Sequence, residues 1–288
     1  MDYAAVVALQ ILSGVATLVI VSLGLAVVFG MMRVINLAHG EFLMLGGYTA
    51  VLAYGRGVNL WIALLILPPI VVGLVGIVVE RLLIRRLYGR MIDTMLATWG
   101  LSLALIGGVT MLFGNSVTGV SAPLGNFSVG QFHVSVYDIF LMFAAMALSM
   151  AVWAVLKFTP AGLLARGTMQ NAEMASALGV APDRVYAVTF AAGAALSGLA
   201  GGLIAPLSGV VPTMGTAFIA KAFITVITGG AAMLTGTLTA SGLLGSVSTI
   251  FTFLTTPVFG EVALLIVAIV LLRLLPRGIT GRFLRRSL

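Results

Sequence analysis

Cysteine is absent from the 288 residues, which excludes a disulfide framework and any thiolate metal site. Histidine occurs twice, as His39 and His133, too few for a histidine-based metal cluster. Lysine also occurs twice, and Lys157 and Lys221 are followed by Phe158 and Ala222. A phosphate-binding P-loop needs Gly-Lys-Ser/Thr, so the chain cannot hold ATP in that way. His-Glu-x-x-His and Gly-x-Ser-x-Gly are missing as well, and with them the common hydrolase signatures. An intramembrane enzyme would lack a nucleophile–base pair here. Charge is scarce: 8% of residues are Asp, Glu, Lys or Arg, against about 25% in a soluble domain.

What is present is apolar. Hydrophobic residues make up 61% of the chain and the mean hydropathy is +1.20. The runs are long and unbroken, not the ~10-residue alternating segments of a β-barrel. The composition predicts an all-α, polytopic helical membrane protein forming a single transmembrane domain over residues 1–288. Tyr3 to Met32 carries no charge, and about 20 apolar residues cross a bilayer core. The start has only Asp2 as a charge, without the basic region of a signal peptide, so this run reads as a retained span. Further spans are predicted at 58–79, kinked by Pro68-Pro69, and at 94–113, 139–156, 185–207, 238–254 and 261–272. Residues 114–136 hold Gly, Ser and Asn but no Asp, Glu, Lys or Arg, and read as a long external loop containing His133.

Two places interrupt this pattern. The first is RVINLAHGEFLMLGG, residues 33–47, where Arg33, Asn36, His39 and Glu41 lie between apolar stretches. The apolar piece after it, 42–54, is short and holds Gly46 and Gly47. A short, glycine-interrupted segment suggests a broken or re-entrant helix whose free backbone ends can line a transport path. Asn36 and His39 can cap helix ends or hydrogen-bond across spans. Burying a charge costs roughly 2.5–3.5 kcal/mol on insertion scales, so Glu41 and Arg33 are expected to pair or to reach water. The plainer reading is an interfacial loop with capping residues. The second interruption is PLSGVVPTMG, residues 206–215, expected to break the helix from Pro206 onward; a short segment at 216–230 with Lys221 follows. Laying Gly40 over Gly215 suggests a weak internal repeat, and repeats of this kind put transport sites at their interface. Asn36, His39, Glu41, Thr98 and Thr213 are the candidate path residues. Thr98 and Ser102 share a face at i, i+4, for which interhelical hydrogen bonding is the plainer role. In 185–207, Gly193, Ser197 and Gly201 recur at spacing four, with Gly198 and Gly202 one residue on. That is a close-packing pattern.

The longest water-compatible island is Thr159 to Tyr186. Thr159-Pro160 can open a helix and Gly179 can close it. Arg166, Gln170 and Glu173 would share one face at i, i+4, i+7, with Leu163, Leu164, Met174, Ala175 and Leu178 further round. An amphipathic helix between two spans either presses on a partner or lies on lipid headgroups.

The net charge of +7 concentrates in loops and the tail, which marks topology and not a nucleic-acid surface. Arg81, Arg85, Arg86 and Arg90 follow a span directly and mark a cytoplasmic segment; an anionic-lipid patch is compatible with that. Residues 157–184 and the acid-free tail with Arg273, Arg277, Arg282, Arg285 and Arg286 should face the same side. Parity then gives eight or nine spans, with the short segments 42–54 and 216–230 deciding the count and the side of the N-terminus.

Several stretches together resemble the permeases of the branched-chain amino acid ABC transporter family, of the LivH type. They are GLAVVFGMMRVINLAHGEFLMLGGY (24–48), RRLYGRMIDTMLATWGLSL (85–103), QNAEMASALG (170–179), FAAGAALSGLAGGLIAP (190–206) and LLPRGITG (274–281). The island is similar to the EAA-x-x-x-G loop of ABC importer permeases, with Glu173, Ala175 and Gly179 in register and Met174 in place of the usual alanine at the second position. The resemblance implies that a coupling segment at about 158–184, with Arg166, Gln170, Asn171, Glu173, Ala175 and Gly179, docks on an ATP-hydrolysing partner subunit. It also implies a second, related permease subunit and a periplasmic solute-binding protein, in a bacterial inner membrane, with ATP bound by the partner and no cofactor on this chain. LYGR (87–90) and LATWG (96–100) are similar to permeases for urea and short-chain amides, which leaves that substrate branch open. A secondary transporter is the further alternative. Such carriers often keep acidic residues deep in their spans, and here Glu41 is the main candidate.

Overall fold

The computed structural model describes residues 2–230 and 232–283. Arg285 and Arg286 of the basic tail lie outside the described residues. The chain is almost wholly helical. In order it forms α1 (Asp2–Met32), α2 (His39–Gly55), α3 (Leu60–Leu65), α4 (Leu67–Leu82), a short 3₁₀ turn (Ile84–Leu87) and α5 (Met91–Phe113). A two-stranded hairpin, β1 (Asn126–Val129) with β2 (Phe132–Ser135), precedes α6 (Val136–Phe158). Then come α7 (Pro160–Gln170), α8 (Ala172–Ala177), α9 (Pro182–Ser208), α10 (Met214–Gly229), α11 (Met233–Leu254), α12 (Pro257–Leu274) and α13 (Gly278–Phe283). Among the described residues, 7 helical stretches are long and apolar enough to cross a membrane. The two short segments that left the count open appear as α2, with 17 residues, and α10, with 16.

Of three local details, one agrees with expectation and two differ. The 58–79 span kinks at the prolines as expected: Leu60–Leu82 forms one span, interrupted only at Ile66, which keeps right-handed helical angles. The helix stops at Ile66 and restarts with the two prolines in its first turn, where their missing N–H costs nothing. Pro206 does not end α9, which runs on to Ser208 and stops at Gly209 with φ 67. A proline one turn from the end removes a single ladder bond, and the left-handed glycine sets the stop. The loop 114–136 contains the antiparallel hairpin, register Asn126 to Ser135, turning at Gly130 with φ 61. A Gly-X pair between two alternating tetrads is the signal that marks it.

The chain forms two compact units. One comprises residues 23–120 and 150–220. Its centre is α9, packed by α2 and α4 and by the end of α1, and its glycines explain the closeness. A Cβ on Gly193 or on Gly24 would meet the backbone carbonyl of the other. A Cβ on Gly201 would overlap the Leu43 carbonyl, and one on Gly198 the Pro68 carbonyl. Small residues thus let backbones touch where the bilayer supplies no hydrophobic drive for helix association. Phe42, Val72, Phe190 and Ala194 fill the remaining space, with Phe42 and Phe190 edge to face at 6.1 Å.

The other unit comprises the residues up to 22, 121–149 and those from 221 onward. Here α11 packs on α12 around Leu18, Leu244, Leu264 and Ala268. Ser13 donates to Asp138 at 3.2 Å, and Lys221 pairs with Glu261 at 2.6 Å. The Thr280 hydroxyl donates to the Gly229 carbonyl at 2.6 Å and accepts from the Ala232 N–H at 3.2 Å, tying α13 to the end of α10.

Candidate functional site: a buried polar break and an exposed helical hairpin

The first break gathers buried polar side chains. α1 ends at Met32, residues 33–38 are non-helical, and α2 begins at His39. Asn36, His39, Glu41 and Thr98 are all buried. The Asn36 side-chain oxygen accepts from the Ala38 N–H at 3.0 Å, turning the chain into α2. The Thr98 hydroxyl, on α5, accepts from the Leu37 N–H at 3.0 Å and donates to the Thr94 carbonyl at 2.8 Å. His39 reaches across to α9, where its Nδ1 lies 3.0 Å from the Ser197 hydroxyl. Glu41 is 1% exposed. The Ser102 hydroxyl hydrogen-bonds its carboxyl, and its Oε2 has no partner.

Glu41 and Arg33 were expected to pair or to reach water. Glu41 does neither; it sits in the first turn of α2, where unpaired N–H groups favour a carboxyl. Arg33 is exposed and separate. Thr213 stands apart from the cluster as well. It is exposed, and its carbonyl accepts from the Thr216 hydroxyl at 2.7 Å. Ser197 joins the cluster from a position read for close packing, and Ser102 joins it in the role read for it, bonding across helices to Glu41. A hydroxyl at a small-residue position can do both.

The second break meets the first. A Cβ on Gly40 would collide with the backbone of Gly215, and one on Gly215 with the backbone of Gly40. Gly40 lies in the first turn of α2 and Gly215 in the first turn of α10. The two short helices therefore cross backbone to backbone at their N-terminal ends. Val210, in the second break, is anchored by a paired bridge to Thr118, with N–H···O distances of 3.0 and 2.6 Å.

The island is exposed, and it is two helices instead of one. The Thr159 hydroxyl accepts from the Gly162 N–H at 3.1 Å and Pro160 fills the first position, so α7 opens as the sequence implies. α7 ends at Gln170. Asn171 turns extended, with φ −156, and its side chain caps α8 by accepting from the Met174 N–H at 2.9 Å. Gly179, with φ 86, closes α8. The break moves Glu173 off the line through Arg166 and Gln170, because asparagine caps a new helix better than it continues an old one. Arg166, Gln170, Asn171 and Glu173 are exposed, while Ala175 is buried. Leu163 is 64% exposed and Leu178 78%, with Leu164, Met169 and Met174 also open. Gly162 lies against the Val155 and Leu156 carbonyls of α6, so the hairpin is fixed to the span before it.

Residues 7–285 match the family model described as "Branched-chain amino acid transport system / permease component". The chain is 26% identical over 295 residues to the high-affinity branched-chain amino acid transport system permease protein LivH of Escherichia coli K12, covering 95% of each. It is 28% identical to the BraD permease protein of Pseudomonas aeruginosa, over 93% of this chain and 92% of that one. It is 26% identical to a probable LivH permease of Methanocaldococcus jannaschii, over 92% and 88%. No solved structure matches. A polytopic helical chain with two broken helices and a capped helical hairpin, matched to this model over nearly its full length, belongs to the branched-chain amino acid transport permease family.

Proposed function

We propose that the chain is the membrane-spanning permease subunit of an ATP-driven importer of branched-chain amino acids, and that the α7–α8 hairpin is the surface on which an ATP-hydrolysing subunit docks. The observation that carries this reading is the hairpin itself. Five large apolar side chains stand open beside Arg166, Gln170 and Glu173, on a helical hairpin fixed to α6 and joined by a short turn to α9. The absence of a P-loop in the sequence fits ATP hydrolysis by a separate chain. The basic clusters at 81–90, 157–184 and in the tail support a cytoplasmic hairpin and C-terminus by the positive-inside rule.

Transport then proceeds by alternating access. ATP closes the partner dimer, the dimer moves the hairpin, and the spans rock about the crossing of α2 and α10. Asn36, His39, Glu41 and Thr98 line the path when it opens. Thr213, exposed at the second break, would serve at its outer approach. A related permease subunit and a solute-binding protein complete the importer.

The test of docking is Glu173→Lys. It should abolish co-purification of the ATPase while the permease keeps its melting temperature. Unchanged co-purification and uptake would remove the docking assignment. The substrate test is uptake into proteoliposomes holding the complete importer, with leucine and urea offered in parallel. ATP-dependent leucine uptake supports the reading. Uptake of urea alone moves the substrate, and uptake without ATP overturns the coupling.

A further inference from the structure

A cavity of about 360 Å³ beside α7 is almost entirely apolar, but a second one, of about 340 Å³, has different chemistry. The second falls in the size range of small-molecule sites, about 300–1,000 Å³. It is walled by Arg33 and Val34 at the end of α1, by Tyr88, Gly89 and Arg90 before α5, by Thr94 in the first turn of α5, and by Tyr186 on α9. None of these belongs to the polar cluster around His39 or to the hairpin surface.

Arg33 is the unusual member. Its φ is 52, in the left-handed region that ends helices and suits glycine. A long side chain held there is strained, and such strain persists where the site uses it. The guanidinium is exposed and has no ion-pair partner among the described residues. The other cation, Arg90, is paired with Asp93 at 2.6 Å, so the net charge facing the cavity comes from Arg33. The opposite wall is fixed. The Tyr88 hydroxyl donates to Glu80, its ring packs edge to face on Tyr186 at 4.9 Å, and the Thr94 hydroxyl bonds the Leu87 and Arg90 carbonyls. No side chain caps α5, and Met91 and Thr94 of its first turn line this wall.

We infer that this cavity is an oxyanion site, in which a carboxylate or phosphate group is held by the Arg33 guanidinium opposite the uncapped start of α5. Guanidinium groups match both oxyanions bidentately. The ligand bridges the end of α1, the start of α5 and the first turns of α9, and would sit on the cytoplasmic side by the same arginine rule. Three sources present that chemistry: a transported amino acid after release, soluble phosphate, and an anionic lipid headgroup.

The experiment uses the full-length chain purified in detergent at constant ionic strength. Binding is titrated with L-leucine, with L-leucinamide as the carboxylate-free control, and with inorganic phosphate. A parallel arm compares nanodiscs of phosphatidylcholine with and without phosphatidylglycerol. The wild type should bind at least one probe saturably. Arg33→Gly should weaken that binding about tenfold or more, and Arg33→Lys should retain part of it. Because φ 52 suits glycine, Arg33→Gly should match or exceed the wild-type melting temperature without anion, which separates lost binding from lost folding. Leucine without leucinamide identifies the released amino acid as the source, phosphate alone a soluble phosphate, and phosphatidylglycerol alone the lipid. Equal binding by Arg33→Gly and the wild type, or no binding by the wild type, overturns the proposal.

Discussion

Glu80 has 0% of its surface exposed, and two donors meet its carboxylate. Arg85 donates from Nε and Nη2 at 3.2 and 3.1 Å, and the Tyr88 hydroxyl donates to Oε1. The carboxylate thus folds the arginine-rich turn back onto the end of α4. Hydrogen bonding to Glu80 raises the Arg85 pKa and keeps the guanidinium charged. Burial, then the Glu80 hydrogen bond, pushes the Tyr88 hydroxyl well above its ordinary value, which is about 10. The folded protein therefore holds a proton that the unfolded chain gives up first. This contribution is complete below about pH 10 and is lost as pH rises beyond it. Melting temperature should fall with pH in that alkaline window, and Tyr88→Phe should flatten the slope. Glycines separate by neighbour at this same scale. Gly201→Ala would push a methyl into the Leu43 backbone and should cost about 1–3 kcal/mol in a denaturation assay. Gly100→Ala, with nothing within 4 Å, should leave stability equal or higher by up to about 1 kcal/mol.

Elements were legible in the sequence to the extent that one local rule governed them. The long spans follow from apolar run length, and the start of α7 follows from Thr159-Pro160. Two rules competed elsewhere. Leu163 to Leu178 carries helical periodicity throughout, yet Asn171 offers a cap to the Met174 N–H, and the cap wins. Asn171→Ala should remove that cap, lower hairpin stability by about 1 kcal/mol and favour one continuous helix. Amide exchange across 168–175 would show this as a shift in protection towards residues 171–174. The partners of His39 and Glu41 were not legible, because Ser197 lies 158 positions from His39 and periodicity carries no information about which faces meet. The hairpin at 126–135 was legible in principle from Gly130 but had no apolar run to draw attention to it.

For the whole molecule, the proposed path makes a separable prediction. Asn36→Leu or His39→Leu should reduce uptake by the assembled importer more than the yield of assembled complex. Normal uptake by both variants would return the break to a purely structural role. The two broken segments also bear on how such a molecule can move. Where α2 and α10 cross, Gly40 and Gly215 put backbone against backbone, and Met44 and Tyr48 of α2 pack in one cluster with Met214 of α10. Interdigitated side chains act as teeth, and sliding past them requires rotamers to change. A crossing of two glycines has no teeth. It is a smooth bearing set beside the Met44, Tyr48 and Met214 contacts, which must repack if the helices tilt, and a single methyl on either glycine would act as a wedge.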